Sequence, residues 1–253
     1  MNNLINLKQD ISKRIIKNPV FSNHSKSLKL TDNVVLYNDG MHWKAIPQTI
    51  MLSYPVIHDN YDNKIITIYS CPFTLFSCVY FEEFIPGTHV YNNNLTLINE
   101  NKNTLLVPII GSLFNKEDMT ILDNYIRKGE AKIMTLRNAI SLFPDILFMD
   151  TENVNVNINI NIKKLLVNPD YSKKYSAKQI VYIIEYHSKK QEKLKYSVVI
   201  PKNNTFDISK NKFLLYFNKM IDKIRDKGGH IYTCYLSAWS ATHANSKYKL
   251  INI

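Results

Sequence analysis

Cys71, His58, Asp59 and His89 are the residues of this 253-residue chain whose types and proximity in sequence could support covalent or acid–base chemistry. A thiol becomes a nucleophile when a nearby imidazole takes its proton, and the partners need only meet in space. On that pattern Cys71 is the candidate nucleophile, His58 or His89 the candidate base, and Asp59 a polar group beside them at a sheet edge. The competing reading of Cys71 is a small buried thiol between strands. Other catalytic signatures are missing. With 6 Gly in the whole chain there is no phosphate-cradling loop, no G-x-S-x-G elbow, no G-x-G-x-x-G and no H-E-x-x-H. The three cysteines, Cys71, Cys78 and Cys234, are too few for a disulfide framework and suit a reducing compartment. No C-x-x-C is present and the seven histidines are scattered singly, so neither a metal site nor a cofactor is expected. The paired acids Glu82-Glu83 and Glu117-Asp118 would point to opposite faces of a strand, which argues against a shared acid–base pair. An enzyme is disfavoured; an enzyme or small-ligand binder with its site near Cys71, His58 and His89 is the alternative to a non-enzymatic binding or structural protein.

The elements that must position these residues are mostly strands. Val34-Val35-Leu36-Tyr37 leads into the turn signal Asn38-Asp39-Gly40 and then Met41 to Pro47, a β-hairpin pattern. Strand-like runs follow at residues 64–69, 76–81, 94–98 and 104–110, β-branched or aromatic and separated by Asn, Gly or Pro. Leu4, Leu7, Ile11 and Ile15 fall at helical spacing before Pro19, predicting an N-terminal helix or arm within residues 1–30. Two short helices are expected at residues 116–128 and 135–142. Residues 153–162 alternate Asn with Val or Ile, the pattern of a strand with one apolar face or of a low-complexity insert. Further strands are expected at residues 179–186 and 195–201, then a helix at 209–227 closed by Gly228-Gly229, then a strand and short helix over 230–244. The expected fold is α+β: a β-rich, mixed or antiparallel sheet core with a few peripheral helices. It divides into an arm (1–30), a β-rich domain (31–152), the alternating segment and a basic α+β unit (163–253) that can pack with the domain before it. An echo at a spacing of 98 residues, Ile126-Arg127, Ile133 and Thr135 against Ile224-Arg225, Ile231 and Thr233, points to two related units.

Charge is distributed unevenly. The chain carries 32 Lys+Arg against 21 Asp+Glu, net +11. Residues 1–162 hold 14 basic and 15 acidic residues, whereas residues 163–253 hold 18 basic and 6 acidic, so the whole excess lies in the last third. Part of this is compositional: 30 Asn, 32 Ile and 28 Lys against 4 Arg is the bias of an AT-rich genome, and lysine lacks the bidentate geometry arginine brings to phosphate and guanine. The clusters Lys163, Lys164, Lys173, Lys174, Lys178 and Lys189, Lys190, Lys193, Lys195 nevertheless set up a field suited to nucleic acid or an acidic protein surface. Tyr171, Tyr175, Tyr182, Tyr186 and Tyr196 are interleaved with them, and exposed rings of that kind stack bases. No run reaches the length of a membrane span and no signal peptide opens the chain, so an intracellular protein is expected, with its oligomeric state open.

Several segments in order resemble a bacterial and archaeal family, domain of unknown function 3179. These are Tyr54 to Asn60, Lys64 to Phe73 with Tyr69-Ser70-Cys71-Pro72, Phe84 through Tyr91-Asn92-Asn93-Asn94-Leu95, Met134-Thr135-Leu136-Arg137 with Phe143-Pro144-Asp145, and Leu236 to Ala241. The family's strand ends in Tyr-Cys-Pro-Leu-Cys, and Thr74 stands here at the second Cys, Thr88 at a segment glycine. The resemblance implies a β-rich fold and transfers no mechanism. With the composition, it points to a domain carried by a large DNA virus, as an intracellular or virion component.

Overall fold

The computed structural model describes residues 4–7, 9–25, 27–123, 126, 128–156, 180–188, 191–200, 230–235, 239 and 248–252. Among them are twenty strands in four sheets and two short helices, so the chain is β-dominated. The helix expected at 209–227 lies outside the described residues, as does most of the helix expected after 235.

The N-terminal segment corrects the expectation of a helix. It forms β1 (Leu4–Asn6) and β2 (Ile15–Lys17), with Ile11 fully buried between them. Two sheet edges are open to these strands, and the intervening turn is fixed by Asp10, whose carboxylate accepts from the Ser12 amide and hydroxyl. Local side-chain bonds of this kind compete with helix, and sheet pairing then outweighs the helical spacing.

The chain continues through β3 (Phe21–Ser22) and the expected hairpin β4 (Asn33–Asn38) and β5 (Trp43–Pro47). A short helix α1 (Gln48–Ser53) follows, then β6 (Val56–Tyr61), β7 (Lys64–Ser70) and β8 (Ser77–Tyr80). Next come β9 (Ile85–Tyr91), β10 (Asn94–Asn99), β11 (Thr104–Val107), β12 (Ser112–Asn115), β13 (Ile121–Asp123) and β14 (Lys128–Gly129). A helix was expected over residues 116–128, and the described residues of that span are not helical. Asn115 Oδ1 accepts from the Glu117 and Asp118 amides, Asp118 Oδ1 accepts from the Thr120 amide, and Met119 sits at φ 59°, so a side-chain-capped turn replaces the helix. After β15 (Ala131–Thr135), the helix α2 (Leu136–Leu142) forms as expected, Thr135 Oγ1 accepting from the Asn138 amide at its N-terminus. Then come β16 (Leu147–Met149), β17 (Ile180–Ser188), β18 (Gln191–Ile200), β19 (His230–Tyr235) and β20 (Tyr248–Asn252). Residues 153–156 of the alternating segment are not a strand; Val154 packs on the core and the Asn155 carbonyl accepts from Tyr54. The rest of that segment lies outside the described residues.

With so few glycines, asparagine takes their turn positions. Asp62-Asn63 and Asn92-Asn93, all at positive φ, make the two-residue turns of the β6–β7 and β9–β10 hairpins.

Three layers result. Sheet β15-β4-β5-β16-β3 packs one face on α2 through Val34, Leu36, Met134 and Ala139, and the other on the sheet β14-β8-β7-β6-β2 through Val35, Tyr37, Ile57 and Ile68. The far face of that middle sheet, with Val56, Tyr69, Cys78 and Tyr80, meets β1-β9-β10-β11-β12-β13 in a second core. Val181, Ile183 and Cys234 of the fourth sheet, β19-β17-β18-β20, and Trp239 belong to this same core. The last third therefore shares a hydrophobic core with the first. Burial on both faces explains why β7 reads as a nearly continuous apolar run. The echo strands β15 and β19 are each the edge of their own sheet and lie against one another.

Candidate functional site

Cys71 opens the turn between β7 and β8. Its amide donates to the Phe76 carbonyl at 2.8 Å and its carbonyl accepts from the Leu75 amide at 2.9 Å, with Leu75 at φ 60°. This turn docks on the Asn92-Asn93 turn of the neighbouring sheet. Cys71 Sγ accepts from the Leu95 amide at 3.3 Å and faces the Asn93 carbonyl at 3.8 Å, Tyr69 donates to the Leu95 carbonyl at 2.7 Å, and Thr74 donates to Asn94 Oδ1 at 2.9 Å. Cys71 is 0% exposed. A substrate reaches such a sulfur only if the turn opens.

The structure does not gather the four candidate residues. His58 lies on β6 opposite Thr67, and Cys71 is four residues beyond Thr67, just past the end of β7, roughly 13 Å at the usual rise per residue. His58 Nε2 donates to the Phe84 carbonyl at 2.8 Å, which fixes the neutral tautomer, while Nδ1 lies 3.7 Å from Glu83. Burial holds this imidazole below its ordinary value despite the carbonyl and Glu83 pulling it up. Asp59 is the next residue on the same strand and so points to the opposite face. There its carboxylate accepts from Tyr37 at 2.6 Å and from Lys44 at 2.6 Å. His89 likewise follows the alternation: its neighbour Val90 is in the core with Cys71, and His89, half-buried, turns away and shares a 3.1 Å hydrogen bond with Thr88. No nucleophile–base contact is formed.

All three thiols are free and buried in one core. Burial pushes Cys78 up to about 12 and raises Cys234 well above the ordinary thiol value, so both are protonated packing groups at neutral pH. Among the described residues no group of three or more His, Cys, Asp or Glu is arranged to hold a metal ion. The paired acids part company: Glu82 accepts from Lys102 at 2.6 Å, whereas Glu83 lies near Lys17 and His58.

Buried ion pairs are the feature the sequence did not disclose. Lys44 bridges Asp39 at 2.8 Å and Asp59 at 2.6 Å, with its ammonium 4.7 Å from the Phe21 ring centre. Burial alone would push Lys44 down and Asp39 up; the pairing more than offsets it, leaving Lys44 raised and Asp39 lowered. Tyr37 is driven well up by burial and by Asp59. Lys132, fully buried, meets Glu130 at 2.6 Å beneath the stacked Trp43 and Phe143 rings. Lys128 on β14 lies 3.6 Å from Glu185 on β17, the two 2% and 1% exposed, joining the middle sheet to the last one.

Of the nine lysines expected to bind a polyanion or acidic partner, Lys193 and Lys195 lie on β18, Lys195 in register with Tyr186. Lys163, Lys164, Lys173, Lys174, Lys178, Lys189 and Lys190 lie outside the described residues. Tyr182 is fully buried, which removes it from the rings able to stack on a ligand. Among the described residues no helix is long and apolar enough to cross a membrane. No protein-family model matches this chain, and no curated protein or solved structure matches it either.

Proposed function

We propose that the chain is a non-enzymatic binding protein whose basic last third contacts a polyanion, nucleic acid before an acidic protein surface, with the layered β core as its scaffold. The observation that carries this is how charge is compensated. Residues 163–253 contain 18 basic and 6 acidic residues, and one of those six, Glu185, is drawn across the seam to the buried Lys128 of the first part. The local excess is therefore larger than the sequence count. Three free, buried thiols fit a protein inside a cell or virion. The motif order supports the proposed kinship with the domain-of-unknown-function family and a viral carrier; recovery of the gene from a bacterial operon would end the latter.

The test uses the intact chain. A truncation near Asn161 would remove Val181, Ile183, Cys234 and Trp239 from the shared core, so its failure to bind would be uninformative. Instead, Lys173, Lys174, Lys189 and Lys190 are changed together to Glu, and binding to single- and double-stranded DNA and RNA is followed by fluorescence anisotropy at low salt. Loss of binding with an unchanged melting temperature is expected; undiminished binding would defeat the proposal.

A further inference from the structure

We infer that the exposed rings of Tyr61 and Phe81 stack on the bases of single-stranded nucleic acid, a site that rests on the polyanion reading above and narrows its ligand class. Tyr61 ends β6, and Phe81 follows β8 directly. By strand alternation Tyr61 shares a face with Ile57 and Asp59, and Phe81 with Val79, the face on which Ile57 and Val79 enter the core against the first sheet. At the ends of the strands that core has run out. Tyr61 is 36% and Phe81 47% exposed, and the two rings meet edge to face with centroids 6.4 Å apart. Glycines seat both rings. A Cβ on Gly40, at φ 100°, would overlap the Tyr61 ring at Cε2, and one on Gly129, in β14, would lie 3.0 Å from Val79 Cβ and 3.3 Å from Phe81 Cζ. Glycine weakens a strand, and in β14 it marks the close approach of these side chains. Two of the chain's 6 glycines thus hold one solvent-facing aromatic pair in place.

The position of the rings connects them to the basic third. Tyr80, the residue before Phe81, is in register with Lys128, whose ammonium lies 3.6 Å from Glu185 on β17, so Phe81 and Gly129 border the seam where the last third meets the scaffold. Glu185 belongs to residues 163–253, with their 18 basic and 6 acidic residues, and a polyanion held by that excess has the aromatic pair at the border of its site. The carboxylates beside the rings do not oppose it. Asp39 meets Lys44 at 2.8 Å, Glu82 meets Lys102 at 2.6 Å, and Asp62 shares its turn with the exposed Lys64. Exposed rings beside a positive field are the recognition chemistry of single strands, because every unpaired base offers a π-face, whereas in a duplex those faces are closed against neighbouring base pairs. A neutral sugar ring gains nothing from the net charge of +11, and an acidic protein surface satisfies the charge without using the rings.

Fluorescence anisotropy of the full chain with a thymidine oligonucleotide and with a duplex of the same length separates stacking from charge. The duplex reads charge alone, and the single strand reads charge and stacking together. Tyr61→Ala and Phe81→Ala should each weaken single-strand binding about tenfold, with duplex affinity and melting temperature at the parent's values. Tyr61→Leu and Phe81→Leu keep apolar bulk without a π-face and should weaken it too, whereas Phe81→Trp should retain binding and show its indole fluorescence quenched by the oligonucleotide. Undiminished single-strand binding in the alanine variants, full binding in the leucine variants, or a parent that binds only the duplex would overturn the stacking site and leave the polyanion reading standing. Equal losses on both nucleic acids would also overturn it, and a parent that binds neither would overturn both readings.

Discussion

The lysines of residues 1–162 and those of residues 163–253 are the same side chain in different circumstances. In the first region Lys44, Lys102, Lys128 and Lys132 each meet a carboxylate within 4 Å, three of them essentially buried. In the second, basic residues outnumber acidic ones three to one, and Glu185 is already paired with Lys128. A lysine-rich sequence is thus not uniformly a binding surface. Where acids are available the chain folds lysines into structure; where they are scarce, the proposed function assigns the charge to a partner. Raw net charge measures neither.

That contrast has consequences of graded size. The largest is at the seam. Lys128→Met removes the buried cation paired with Glu185 and should cost about 3–5 kcal/mol in denaturant unfolding, while adding Glu185→Leu should restore most of it. A single variant as stable as the parent would mean the pair does not join the sheets. Next, Tyr37→Phe removes a donor to the buried Asp59 carboxylate and should cost about 2 kcal/mol by the same measurement. The third concerns pH. Because burial holds folded His58 below its ordinary value of 6.5, the unfolded chain binds the extra proton first as pH falls, so stability drops below pH 6.5 and levels off beneath the folded value. His58→Gln should make the unfolding free energy less dependent on pH between 7 and 5, by at most about 1.4 kcal/mol per pH unit; an unchanged profile would assign the acid sensitivity elsewhere. Smallest is Lys102→Ala, which breaks an exposed pair with Glu82 and should shift stability by less than about 1 kcal/mol.

What could be read from the sequence was local. Asn38-Asp39-Gly40 announces the β4–β5 hairpin, and Thr135 announces α2, because turn and cap chemistry acts over a few residues. The N-terminal helix and the helix at 116–128 failed where spacing competed with sheet edges and with Asx turns. The candidate residues are dispersed for an instructive reason. His58 and Asp59 are adjacent, but adjacency on a strand separates side chains to opposite faces, and that alternation was already legible once residues 56–61 were a strand. The Lys128–Glu185 pair spans 57 residues and two sheets. No local pattern encodes it, because neither residue has a reason to be buried until the sheets meet.

The most direct test of the charge reading is the slope of log Kobs against log salt for the intact chain on duplex DNA, measured beside the variant in which Lys173, Lys174, Lys189 and Lys190 are Glu. A steep negative slope is expected, shallower by about 3.6 in the variant if each lysine neutralises one phosphate. A flat slope, or an equally steep one in both proteins, would contradict the assignment of the polyanion site to the last third.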